Sequence, residues 1–450
     1  MHGPDLRAWR RLQPQDLRQF LAMLVLGGIM FISATRLNLL PGDVLFVGDF
    51  TGAGNTTRQL LYLAGVAIML VCADPLNKPD RLLAMGVPLL LLLAWCAASM
   101  TWSVAPQVGV RRLILAIVVV WLVHRTVDDL GPDRALAVVL YVALGLLLAN
   151  LAAVAVHPGA IHRLRGAILD DSIVGAWRGV MPEKNGAGLL TATTLLLLCF
   201  GVGRLGLLLR FGFIVLAAVF LLGTRSKTSI ALVGVGLLAG ALFQLYRPQL
   251  RPLLLPALAI VLVAVTLAAW YLVPPWLDEL DSSLSAFTGR IQIWRVLVAA
   301  IGDRPWLGAG YGSVWNVGPT SPIYDYTSSP WITRMIAEGH NGYLDLLMEI
   351  GIVGAVLALL VLFVLPIGRL LLSPARDRTL AGLCLALLVF ALCHNLTESS
   401  ILVPDHPGQV AILLAIACIR QLTRPHAEER PASYRRRART APPATDPRPA

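Results

Sequence analysis

Residues 338–355 read EGHNGYLDLLMEIGIVGA, and the change of character within them decides the fold. Before His340 lies the longest polar stretch of the chain; after it a largely apolar run begins that is long enough for a membrane helix. A His-Asn pair at the mouth of such a helix looks towards water and away from lipid. The unperturbed imidazole pKa is about 6.5, so His340 can accept a proton near neutral pH.

Composition carries the same message outward. Hydrophobic residues make up 57% of the 450 and charged residues only 14%, whereas a soluble domain is about 45–50% apolar. A soluble globule is excluded. Apolar runs of roughly 17 to 25 residues recur, rich in Leu and Ala, which is the pattern of spanning helices and not of a β-barrel. The first expected span runs from Phe20 to Ala34, behind Arg7, Arg10, Arg11 and Arg18 and without a small-residue cleavage signal. Further spans centre near residues 67, 91, 118, 146, 193, 215, 236, 263, 354, 386 and 412. The expected fold is an all-α polytopic membrane protein with about 12 transmembrane helices and a large periplasmic loop over 274–340.

The net charge is +11. Only Lys78, Lys184 and Lys227 are lysines, so arginine supplies the rest of the 37 cations and position matters more than number. Cytoplasmic connections collect Lys and Arg, and an even span count then puts both termini inside. The expected organisation is a cytoplasmic segment 1–18, a membrane domain 19–423 and a basic, disordered cytoplasmic tail 424–450. Three outside loops nevertheless remain basic: Arg163, Arg165, Arg178 and Lys184; Arg225 and Lys227; Arg290, Arg295, Arg304 and Arg334. They call for anionic partners, unless arginine bias alone spills into loops. The six cysteines fall in apolar runs with no CxxC pair, so no disulfide framework or thiolate metal site is expected.

Within the large loop, Ile291, Trp294, Leu297, Val298 and Ile301 share one helical face, the spacing of an amphipathic helix on the membrane surface. RPWLGAGYGSVW, residues 304–315, shares its glycine spacing with dinucleotide fingerprints. No βαβ unit fits a helical membrane chain, so these glycines are assigned to a re-entrant or surface loop.

Three motifs, GTRSKTSIAL (223–232), TGRIQIWRVLVAAIGDRPWLGAGYGSVW (288–315) and EGHNGYLDLLMEIGIVG (338–354), together resemble the O-antigen ligase and polysaccharide polymerase family of bacterial membrane glycosyltransferases. RGVMPEKNGAG (178–188), TWS (101–103) and NLTESSILVPD (395–405) look more like its exopolysaccharide polymerase branch. The resemblance extends over about residues 95–420, with a core over about 178–405. It implies an inner-membrane, metal-independent, inverting enzyme without a cofactor. Its donor would be a glycan on a polyprenyl diphosphate at the periplasmic face, and its acceptor a glycan or a lipopolysaccharide-core hydroxyl. Membrane lipid and chain-length regulator or export proteins would be its partners, and nucleic acid would not.

The reaction's physical needs match the residue types. A leaving diphosphate develops negative charge, which forked arginines and point-charge lysines stabilise. Arg225, in its short turn between two spans, and Arg290 are the main candidates for diphosphate binding, joined by Lys184, Arg178 and Lys227. His340 is the candidate general base for the acceptor hydroxyl, and the helix N-terminus with nearby arginines is expected to keep its ring neutral. Asn341 would orient the ring or a sugar hydroxyl, with Asn185 and Glu398 in support; relatives often carry His where this chain has Glu183. Asp345 and Glu349 lie on a different face of the helix from His340 and are assigned to packing. Polymerisation of repeat units is the first reading. Ligation of finished O-antigen to lipopolysaccharide core is its rival within the family, and a lipid-linked glycan transporter is the rival from another class.

Overall fold

Apolar runs punctuated by Pro, Gly and Asp fold into helices that begin and end where those residues stand. The computed structural model describes residues 14–35, 54–162, 173–250, 252 and 289–424. Its principal helices are α1 (Pro14–Thr35), α2 (Thr56–Ala73), α3 (Val87–Ala98), α4 (Pro106–Leu130), α5 (Pro132–Val156), α6 (Lys184–Cys199), α7 (Leu207–Thr224), α8 (Lys227–Leu245), α9 (Arg290–Asp303), α10 (Gly342–Leu359), α11 (Arg378–His394) and α12 (Pro407–Leu422). A π turn at Leu360–Val364 carries α10 on into Leu365–Leu372. Proline opens α3, α4, α5 and α12 in the first turn, where its missing N–H is not needed.

Among the described residues seven helices are long and apolar enough to cross a membrane: α1, α2, α4, α5, α7, α8 and α10 with its extension. The chain is an all-α, multi-pass membrane protein. Eleven of the expected span centres fall inside helices, but α3, α6, α11 and α12 have 12, 16, 17 and 16 residues, short of the roughly 20 a perpendicular crossing needs. The expected span near 263, the cations Arg163 and Arg165, and residues 425–450 lie outside the described residues.

Side-chain contacts sort the helix ends into two faces of the bundle. On one, Arg18 of α1 and Arg125 of α4 converge on Asp129, and Arg420 of α12 reaches Asp128 at 2.5 Å. Arg378 there donates to the last carbonyls of α8, and Arg134 reaches Gln19. The helix start of α1 and the helix end of α12 therefore share a face. On the other face lie the starts of α6, α8, α10 and α12 and the ends of α7 and α11, joined by the contacts described below.

One helix is broken on purpose of packing. Gly351 in α10 sits at φ 67°, ψ −179°, a conformation nearly restricted to glycine, and the break frees backbone groups that lipid cannot satisfy. The glycine loop after α9 supplies their partners. Ala309 N–H donates to Met348 O and Gly310 N–H to Glu349 O, both at 2.8 Å, while Ile352 N–H donates to Pro305 O at 2.8 Å. Trp95 of α3 donates its indole N–H to Ile350 O at 3.2 Å, and Glu349 Oε2 accepts from Gly312 N–H at 3.0 Å. Residues 304–312 are thus a loop docked into a broken helix, which accounts for their glycines.

Helix α9 departs from the surface placement expected for it. Ile293, Trp294, Val296, Leu297 and Ala300 are buried in a satellite core with Ala309, Val314, Trp315, Ile323, Ile332 and Met348. Of the stripe assigned to lipid, Ile291, Trp294 and Leu297 are buried against protein, and only Val298 among these four is exposed. The loop that follows α9 folds back over it and takes the place assigned to lipid.

Gly351→Ala is expected to lower stability by roughly 2–4 kcal/mol, because the new methyl meets the Trp306 carbonyl. Thermal unfolding in detergent measures it; an unchanged midpoint would show that the break does not depend on glycine.

Candidate functional site

The GTRSKT motif forms the tight connection between α7 and α8. Thr224 ends α7, Arg225 takes a left-handed backbone (φ 52°) as its cap, and Lys227 opens α8. The Arg225 guanidinium donates to Val174 O at 2.7 Å, and Trp177 N–H donates to Gly223 O at 2.8 Å. Residues 173–178 therefore lie across the connection. Arg178 is tied to Gly159 O and Pro182 O, while Lys184 and Asn185 stand in the first turn of α6. Burial first, then the charges of Arg178 and Lys184, push His162 down to about 4. Gly188 lets α6 approach Ser226 so closely that an added Cβ would sit 2.6 Å from the Ser226 Cβ.

From here polar contacts lead to the histidine. Ser226 Oγ donates to Ser229 Oγ, which meets His394 Nε2 at 3.1 Å, and Thr228 Oγ1 lies 2.7 Å from Thr397 Oγ1. Thr397 precedes Glu398 in the α11–α12 turn. Glu398 accepts from Arg290 at 2.5 Å on one oxygen and faces His340 Nδ1 at 3.4 Å on the other. Glu338 lies on the same ring nitrogen at 3.2 Å. Among the described residues Nε2 has no hydrogen-bond partner, and the ring keeps 20% exposure.

His340 itself has φ 48°, left-handed backbone that a non-glycine residue adopts at a cost and that concentrates at functional positions. Asn341 fixes the helix start below it, its Oδ1 accepting from Tyr343 N–H and Leu344 N–H and its amide donating to Leu396 O. The side chain expected to orient the ring or a sugar is committed to this cap.

The electrostatics reverse the expected sign at His340. Burial lowers its pKa, but the hydrogen bonds and charges of Glu338 and Glu398 outweigh burial and push it up to about 10. The helix N-terminus and arginines do not decide the matter, because two carboxylates stand closer. Glu398, despite burial, is held below the usual carboxylate range by His340 and Arg290. Arg290, assigned to diphosphate, has at least one donor engaged by Glu398.

Sequence reading passed over Glu338 and Ser399, although Glu338 stands two residues before His340 and Ser399 follows Glu398. It also separated Asp345 from the histidine by helical angle, whereas the His340 loop folds back so that Asp345 meets Gly339 N–H. Glu338, His340 and Glu398 offer ligand atoms within 4.8 Å of one another. A divalent cation there would face the fixed charge of Arg290.

Residues 212–359 match the family model of O-antigen ligase. The chain is also similar to the exopolysaccharide production protein ExoQ of Rhizobium meliloti (strain 1021), 30% identical over 208 residues, 43% of this chain and 46% of that protein. In that match the chain spans less than half the length of its curated relative. The motifs on the site-bearing face and both similarities point the same way, to a likeness with O-antigen ligase and exopolysaccharide-production proteins over part of the chain.

Proposed function

We propose that the chain is a membrane glycosyltransferase that polymerises polyprenyl-diphosphate-linked repeat units at the periplasmic face, His340 serving as general base. The observation that carries this reading is the ring's own geometry: Nδ1 faces two carboxylates and Nε2 is left open, on the bundle face that also bears Arg178, Lys184, Arg225 and Lys227. Nδ1–H held by a carboxylate fixes the tautomer in which Nε2 accepts.

In the proposed step Nε2 takes the acceptor hydroxyl proton as that oxygen bonds to the anomeric carbon. The bond from that carbon to the diphosphate oxygen breaks on the opposite side, inverting the centre. The electron pair leaves with the lipid diphosphate, whose charge Arg225 and its neighbouring cations stabilise. The imidazolium so formed is stabilised by Glu398, which Arg290 holds in place.

The raised pKa sets the direction of the pH dependence. A base must be neutral to act, so kcat/KM should climb with pH along a limb governed by His340. Glu338 is 22% exposed, so solvent screens its influence, whereas Glu398 is 7% exposed and already neutralised by Arg290. The same carboxylates would also suit a standing imidazolium that stabilises the leaving diphosphate, and then the rate would fall as pH rises. Base catalysis is preferred because a diphosphate leaves without needing a proton.

Purified protein in liposomes, given polyprenyl-diphosphate oligosaccharide and no nucleotide, should lengthen the glycan and release the carrier. Translocation without extension would instead indicate a transporter. Lipopolysaccharide truncated at its core in a deletion strain, with secreted polymer intact, would indicate a ligase. His340→Ala should insert normally and lose about 10²–10⁴-fold in rate; full activity would refute the base. Glu338→Gln should move the ascending limb about one unit to lower pH, seen in a pH–rate profile, and a limb that stays in place would detach Glu338 from the ring.

A further inference from the structure

The backbone of His340 is held from both sides by a single carboxylate. Gly339 N–H, just before the histidine, donates to Asp345 Oδ2 at 3.0 Å and approaches Oδ1 at 3.2 Å. Asn341 N–H, just after it, donates to Ser399 Oγ at 3.1 Å, and the Ser399 hydroxyl donates to Asp345 Oδ2 at 2.5 Å. Trp315 completes the set, its indole N–H donating to Asp345 Oδ1 at 2.8 Å. Both peptide N–H groups flanking a residue at φ 48° are thereby anchored to Asp345, one directly and one through a hydroxyl.

The same carboxylate reaches the other half of the pair. Ser399 is the residue after Glu398, so the link from Ser399 to Asp345 also fixes the turn that carries the partner of Nδ1. Gly342 N–H closes the arrangement by donating to Asn395 O and Glu398 O, at 2.9 and 3.0 Å. Gly339 must be glycine, because an added Cβ would collide with Asp345 Oδ1. A carboxylate in the first turn of α10 also faces the positive end of that helix.

We propose that Asp345, working through Ser399, is a positioning residue that holds His340 in its left-handed backbone and in register with Glu398. This rests on the assignment of His340 as base. Asp345 touches no reacting atom; it acts by keeping Nε2 aimed where the acceptor oxygen must arrive. A carboxylate suits the task because it accepts several donors at once, and the neighbours present only donors: one indole, one amide and one hydroxyl. In Asp345→Asn an NH₂ group must face one of those donors.

The test uses full-length Asp345→Asn and Ser399→Ala protein in liposomes with polyprenyl-diphosphate oligosaccharide, measured across pH beside His340→Ala. Asp345→Asn should lose about 10–100-fold in kcat with the donor KM within about twofold of wild type, and its ascending limb should move to lower pH as Nδ1 loses its carboxylate. Ser399→Ala should shift both in the same direction by less, with near-normal thermal stability, and it decides the matter if Asp345→Asn does not fold. Wild-type kcat and an unmoved limb in Ser399→Ala, with His340→Ala inactive, would overturn the positioning role and spare the base. A kcat loss that tracks lost stability with the limb unmoved would also overturn it. An active His340→Ala would remove the base assignment and this proposal together.

Discussion

A helix that breaks inside a membrane must find partners for the backbone groups it frees, and this constraint organises the site-bearing half of the molecule. At Gly351 the carbonyls of Met348, Glu349 and Ile350 and the amide of Ile352 all find them, from Ala309, Gly310, Trp95 and Pro305. The loop that answers the break is the start of the connection that leaves α9, so docking it pulls α9 onto the first half of α10. Arg290 at the start of α9 is thereby brought over the entrance of α10, where Glu398 stands between it and His340. The glycines of the loop and the break in α10 are two sides of one hydrogen-bonding problem.

The electrostatics of the entrance follow from what each cation already holds. A lone carboxylate buried beside His340 would be costly; Arg290 relieves it, and the ring then shares Glu398 with a fixed charge and Glu338 with solvent. The outcome is a histidine whose proton affinity is raised by the carboxylates at Nδ1 and whose Nε2 is open. Arg225, Arg178 and Lys184 form a separate cationic platform on the same face, linked to the histidine through Thr228 and Thr397. Separating these cations from the proposed base suits a reaction in which lipid carrier and acceptor hydroxyl approach from different directions.

Much of this was legible in the sequence. Apolar run length revealed the helices, and the positions of Lys and Arg separated two faces that the ion pairs of Asp128 and Asp129 on one side and Glu398 on the other now define. The motif residues could be named because their chemistry is local. What stayed hidden depends on backbone reversal. Helical geometry puts Asp345 about 140° away from His340, but His340 lies outside the helix at φ 48°, where that periodicity has no authority. The same holds for Glu338, whose approach to Nδ1 requires the left-handed turn. α9 has the period of a surface helix, and only the docked loop shows what covers it.

The central claim is that Nε2 of His340 receives the acceptor's proton while the Arg225 platform holds the diphosphate. A structure of the protein with a polyprenyl-diphosphate oligosaccharide and an acceptor glycan tests it most directly. The account predicts an acceptor hydroxyl about 3 Å from Nε2, with the diphosphate against Arg225. A hydroxyl held elsewhere, or the diphosphate seated on His340 itself, would contradict it.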